Sequence, residues 1–255
     1  MNRNELKSYL ETKLAQYNQA SFIEHDPVQV PHLFLNPQDI EISGFFAAIF
    51  SWGQRQTIIK KTKNLMERMD MAPYDFILHA DTADLLRIDN FAHRTFNGTD
   101  TCYFIKALNY FYRQHDTLGD YFGQLFKKHQ SIPIIISEFK KEFFLLPHHY
   151  RTEKHIADPL KGSTAKRLNM FLRWMVRKDD FGVDFGLWKT IPPSELYLPL
   201  DVHSARIART LGLLNRKTND WKAVEEVTTN LKKLDAHDPI KYDYALFGTG
   251  VFEDF

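Results

Sequence analysis

Cysteine is almost missing from this chain. Cys102 is the only one among 255 residues, so no disulfide can close within the chain. Neither a four-cysteine zinc site nor a cysteine-held iron–sulfur cluster can be assembled from it alone. Long apolar runs are missing too: nothing approaches the ~20 residues of a membrane-spanning helix. The opening MNRNELKSYLETKL reads as a polar helix, not a signal peptide. These absences set the expectation of a cytoplasmic protein without membrane contact. Net charge is only +1, so the total does not announce a nucleic-acid binder. Glycine and proline number eleven each, which leaves room for long helices, and no convincing segment has the period of a strand. His148, His149 and His155 cluster in residues 147–159, but no Cys or Asp stands at ligand spacing, so they read as structural and no metal is expected.

What is present points to packed helices. A hydrophobic fraction of 44% with 21 Phe excludes disorder. Leu6, Tyr9, Leu10, Leu14 and Tyr17 put a helix over 2–18. Residues 21–37 carry three prolines and predict an extended connector. Asn36-Pro37 then caps a core helix with Ile42, Phe45, Phe46, Ile49 and Phe50 on its stripe. A polar turn, Ser51 to Gln56, precedes a helix with a basic face over Thr57 to Met69. Two short helices follow over 73–86, then a loop over 90–100. Helices at about 101–115, 117–128 and 131–145 have aromatic stripes suited to core packing. Near the end, Trp221 to Leu234 forms a helix, and Asp238-Pro239 starts a last one through Phe247, ended by Gly248 and Gly250. The fold class is all-α, with about a dozen helices and no internal repeat.

The stretch Leu160 to Gly212 carries the chemistry. Leu160-Lys161-Gly162-Ser163-Thr164-Ala165-Lys166 reads as an apolar anchor, a glycine turn, small residues and a helix start. Backbone N–H groups at such a turn can face a phosphate, with Lys166 one turn into the helix. Asp201 opens a second helix 35 residues later. Cations cluster around both, among them Arg167, Arg173, Arg177, Arg206 and Arg209, and again on the helix from Arg55 to Arg68. Such clusters can track a phosphate backbone or simply be solvated helix faces.

The hairpin resembles that of the helix-hairpin-helix base-excision DNA glycosylase superfamily (HhH-GPD), which reads roughly L-P-G-V-G-x-K. Leu160, Gly162 and Lys166 match; Lys161 replaces the proline and Thr164 the second glycine. Pro199-Leu200-Asp201-Val202-His203 resembles the aspartate segment of that superfamily. The separation of the two motifs is about twice that of endonuclease III and closer to the archaeal 8-oxoguanine glycosylases, with Asp179 to Ser194 as the insert. The resemblance implies a two-lobed helical fold: residues 1–37 packing with the C-terminal lobe, a lobe over 38–165, and a hairpin and C-terminal region over 160–255.

It also implies a bifunctional DNA glycosylase and AP lyase of base-excision repair, acting as a monomer on damaged double-stranded DNA, with 8-oxoguanine as the first substrate. Lys166 and Asp201 would be catalytic. Gln54, Arg55, Gln56, Lys161, Gly162, Ser163, Thr164, Arg167, His203 and Arg206 would meet DNA. Phe181, Phe185 and Trp188 would line a base pocket or dock the insert on the core. No cofactor or iron–sulfur cluster is expected, and the hairpin has room for a monovalent cation. In this chemistry a flipped nucleotide brings its anomeric carbon to a neutral lysine amine. A free lysine, pKa ~10.4, is almost wholly protonated at neutral pH, and lowering that to neutrality takes about 4 kcal/mol of differential interaction. Desolvation and neighbouring cations supply it; a close carboxylate works against it. Asp201 therefore suits stabilisation of an oxocarbenium-like sugar and proton transfer. The alternative is a non-catalytic helix-hairpin-helix protein that binds nucleic acid without turnover.

Overall fold

Thirteen α-helices dominate the computed structural model, which describes residues 1–253. The first, α1 (Arg3–Tyr17), starts at a capping box in which Asn2 accepts from the backbone of Asn4 and Glu5 while Glu5 returns to Asn2. The prolines after it do not make an extended connector. They open 3₁₀ turns at Pro27–Gln29 and Pro31–Leu33, preceded by the short α2 (Ala20–Ile23). Proline fits the first turn of such elements because the N–H it lacks would be unpaired there.

At the centre lies α3 (Pro37–Phe50), buried from Ile40 to Phe50. A helix buried on every side over eleven residues is a core element. It touches the Pro31–Leu33 turn, α4 (Arg55–Arg68), α5 (Pro73–His79) and α10 (Lys166–Val176). Its Glu41 is buried without a cation. Instead it accepts from the Leu118 and Gly119 N–H groups, the Tyr112 hydroxyl (2.9 Å) and the Trp188 indole (2.6 Å).

Around α3 lie α6 (Thr82–Asp89), α7 (Gly98–Tyr112), α8 (Leu118–His129) and α9 (Ile132–Phe143). The loop expected over 90–100 contains a two-stranded hairpin, β1 (Ala92–His93) with β2 (Phe96–Asn97), whose turn puts Arg94 at φ 56°. The chain closes with α11 (Val202–Thr210), α12 (Trp221–Leu234) and α13 (Tyr242–Phe252).

Gly248 and Gly250 do not end the last helix, which runs through both. A methyl at Gly248 would collide with the Tyr17 ring, and one at Gly250 would stand 3.0 Å from the His203 carbonyl oxygen. The glycines let α13 press against α1 on one side and α11 on the other. One continuous apolar cluster runs from Leu10 to Leu246. Among the described residues no helix is long and apolar enough to cross a membrane.

The insert straps the core. The Phe185 and Trp188 N–H groups donate to the Trp174 and Met175 carbonyls of α10, and Trp188 stacks on Phe122 at 5.0 Å. Gly119 and Gly123 of α8 leave the groove in which Trp188 and Thr190 lie.

Candidate functional site

The stretch from Asp158 to Lys166 forms a tight turn into a helix, with changes from its sequence reading. Asp158 caps a 3₁₀ turn at Pro159–Lys161, Gly162 turns the chain at φ 86°, and Ala165, also left-handed, is the N-cap of α10. Gly162 is needed for its conformation alone, because nothing lies within 4 Å of the space a side chain would take. Leu160 is no anchor: it is 59% exposed, and Pro159 beside it is buried instead. Lys166 is the first residue of α10, not one turn in.

Asp201 is the N-cap of α11. Its Oδ1 accepts from the His203 and Ser204 N–H groups, at 2.9 and 2.8 Å. That leaves Oδ2 free to take the Lys166 Nζ at 3.0 Å. Burial works to raise the Asp201 pKa, but the Lys166 charge, the Ser204 N–H and the lysine hydrogen bond outweigh it and hold the carboxyl below its ordinary range. Thus two elements 35 residues apart in sequence meet in one ion pair.

The pair stands in the wall of a cavity of about 510 Å³. The loop after α3 lends Trp52, and α4 lends Arg55; Phe22 and Asp26 come from the N-terminal segment; Asp243 and Phe247 come from α13. Asp26 is 7% exposed, and its Oδ1 is held by the Val28 N–H at 3.0 Å. Burial raises its pKa. Asp243 is 5% exposed; burial pushes its pKa up to about 6, against the pull of Arg173, which hydrogen-bonds it. Arg173 also reaches Asp184 at 3.4 Å and lies 4.3 Å from the Tyr244 ring centre. Sequence reading found Lys166 and Asp201, and named Arg55, Thr164 and His203 as DNA contacts, but not the rest of the wall. Its one trace is the spacing of Asp243, Phe247 and Val251, four residues apart on one helix face, all three lining the cavity.

The other expected contacts separate into two groups. Gln54 and Gln56 are exposed, as are Lys161, Gly162 and His203, and His203 and Thr164 also line the cavity. The Ser163 hydroxyl accepts from the Ala165 N–H at 3.2 Å. Arg206 donates to the Gly250 carbonyl at 2.9 Å. Arg55 does not point outward but turns into the cavity, over the Phe247 ring at 4.9 Å.

Arg167 faces inward as well, donating to the Ile49 carbonyl at 2.7 Å, and burial lowers its pKa to about 10. Arg177, buried like Arg173, is committed to Asp179, Asp184 and Asp238. These three arginines hold the interior together and are not placed to track a phosphate backbone. Nor do the insert aromatics line the cavity. Trp188 is in the core, Phe185 stacks on His32 at 4.3 Å, and Phe181 is half exposed. Among the described residues no group of three or more His, Cys, Asp or Glu side chains could hold a metal ion.

Residues 26–252 match the family described as a protein of unknown function (DUF2400), and the chain belongs to that family. No curated protein and no solved structure matches the chain.

Proposed function

We propose that this protein is a base-excision DNA glycosylase with AP-lyase activity, of the helix-hairpin-helix kind, and that the cavity receives a damaged base flipped from double-stranded DNA. The observation that carries the reading is the contact of Lys166 Nζ with Asp201 Oδ2 at 3.0 Å, at the edge of a cavity with aromatic walls. Only a nucleophile beside a proton acceptor and next to room for a planar ring satisfies both halves of this chemistry.

At rest the two are an ion pair, so the amine must first give up its proton. Asp201 Oδ2 is the nearest acceptor. The freed lone pair attacks the anomeric carbon, the glycosidic bond breaks and the base leaves with its bonding electrons and a proton. Loss of the ring oxygen bond gives a Schiff base on Lys166, from which β-elimination cleaves the strand. Asp201, beside the attacking amine, would stabilise the positive charge that develops on the sugar. 8-Oxoguanine is the first lesion to offer.

Borohydride trapping tests this. Wild type and Lys166→Gln are incubated with duplexes carrying 8-oxoguanine, oxidised pyrimidines, uracil or an abasic site. A covalent adduct on a lesion, absent from the variant, is the expected result. An adduct at the abasic site alone would keep the lyase and remove base excision. Salt-dependent duplex binding with no adduct on any substrate would replace the enzyme by a nucleic-acid binding protein.

A further inference from the structure

Three aromatic rings line the cavity, Phe22, Trp52 and Phe247, and the last two each have a guanidinium over a face. Arg94 lies 4.3 Å from the Trp52 ring centre, and Arg55 lies 4.9 Å from that of Phe247. Trp52 and Phe247 line the cavity; Arg94 does not, so it covers the indole from outside, whereas Arg55 is itself part of the wall.

The Arg94 contact is built by two loops together. Arg94 takes a left-handed conformation at the hairpin turn, φ 56°, and Gly53 next to the indole has φ 110°. A side chain at Gly53 would stand 2.6 Å from the Arg94 Nη1. Positive φ is usual at a short hairpin turn, and the missing side chain at Gly53 leaves the exposed Arg94 room to lay its guanidinium on the indole.

The face of an aromatic ring attracts cations because its quadrupole is negative there. A guanidinium on one face uses that attraction, draws electron density towards itself and repels a second cation arriving on the other face. Other charges in the wall do not reverse this. Asp26, Asp201 and Asp243 are matched by Arg55, Lys166 and Arg173, and burial moves Asp26 and Asp243 towards their neutral forms. His203 at the rim adds no negative charge.

We infer that the cavity selects a neutral, electron-rich planar ring over a cationic one, with Arg94 the residue that positions and polarises Trp52 for that choice. The inference rests on the reading of the cavity as a nucleobase site, and it names a substrate class: bases damaged without gaining positive charge, not bases made cationic by ring alkylation.

The test uses two isomers that differ in charge, 1-methyladenosine, a cation at neutral pH, and N6-methyladenosine, which is neutral. Their dissociation constants are measured by calorimetry on wild type, Arg94→Gln and Arg55→Gln. Glutamine keeps a planar polar end and removes the charge. The neutral isomer should bind wild type about fivefold more tightly, and the preference should shrink towards parity in Arg94→Gln. Taking the ratio within one variant cancels any loss of folded protein, and the wild-type ratio stands even if a variant fails to fold. Equal binding, tighter binding of the cation, or a preference unchanged in Arg94→Gln would overturn the inference, as would no binding of either nucleoside. Borohydride trapping at an abasic site separates the two readings. Trapping with no preference for the neutral isomer sinks this inference alone; the preference without trapping sinks the lyase and leaves the cavity's selectivity standing.

Discussion

Asp201 has two separable duties, and a single atom distinguishes them. Oδ1 caps α11 and Oδ2 holds Lys166. Asparagine caps a helix about as well as aspartate but offers the lysine no charge. Asp201→Asn should therefore keep α11 capped and fold, with a melting temperature lowered only by the loss of the ion pair to Lys166, while the rate of borohydride trapping falls by about 100-fold or more. Equal trapping would remove Asp201 from the chemistry.

The sign of the pH dependence follows from the depressed carboxyl. Asp201 ionises more readily folded than unfolded, so its stabilising contribution is complete above the ordinary carboxylate value of ~3.9 and is lost as pH falls through the lower folded value. A carbon-13 titration of the Asp201 carboxyl should place its midpoint below ~3.9, and Lys166→Gln should move it upward. Glu41 is the opposite case, a buried acid with four neutral donors, whose pKa burial raises. In Glu41→Gln an amide NH₂ replaces one oxygen and faces two of those donors. The expected cost is about 1–3 kcal/mol for each buried donor left unpaired, read by denaturant unfolding.

At the scale of elements, the glycines of α13 decide how closely three helices meet. Alanine is a better helix former than glycine by about 1 kcal/mol, so an exposed Gly→Ala change would stabilise. Gly248→Ala should instead destabilise by about 1–3 kcal/mol, because its methyl has only the Tyr17 ring to displace. Calorimetric melting decides the sign, and a higher melting temperature would show that α1 yields easily.

The same glycines mark what the sequence could express. Periodic apolar stripes disclose core helices, and Asn36-Pro37 does open α3. Glycine near a helix end reads as a terminator by local rules, whereas here its role is set by Tyr17, more than 200 residues away in sequence. Asp201 was legible because it caps a helix, and Lys166 because it follows a glycine turn that resembles a known motif. Asp26 and Trp52 were not legible as cavity residues, since their meaning arises only when distant segments converge. Arg173 could be read as a cation but not as a buried one, because its partners Asp184 and Asp243 lie on other elements.

Across the whole molecule, the cavity is closed by the two ends of the chain. Phe22 and Asp26 belong to the N-terminal segment and Asp243 and Phe247 to the last helix. α1 braces that helix through Tyr17 on Gly248 and through the Lys13 and Tyr17 contacts to Glu253. A single apolar cluster joins these parts to the rest, yet the brace is made by α1, α11 and α13 largely among themselves. Regions with their own dense contacts can open as a unit below the global unfolding free energy. Leu10→Ala, at a fully buried position of α1, should cost about 2–5 kcal/mol locally. Amide exchange in α1, α11 and α13 should then accelerate together while α7 and α9 keep their protection. Trapping should weaken in proportion, because the open form has lost one wall of the cavity. Uniform acceleration throughout the chain would instead mean that the molecule unfolds as one cooperative body and that the cavity opens only when everything does.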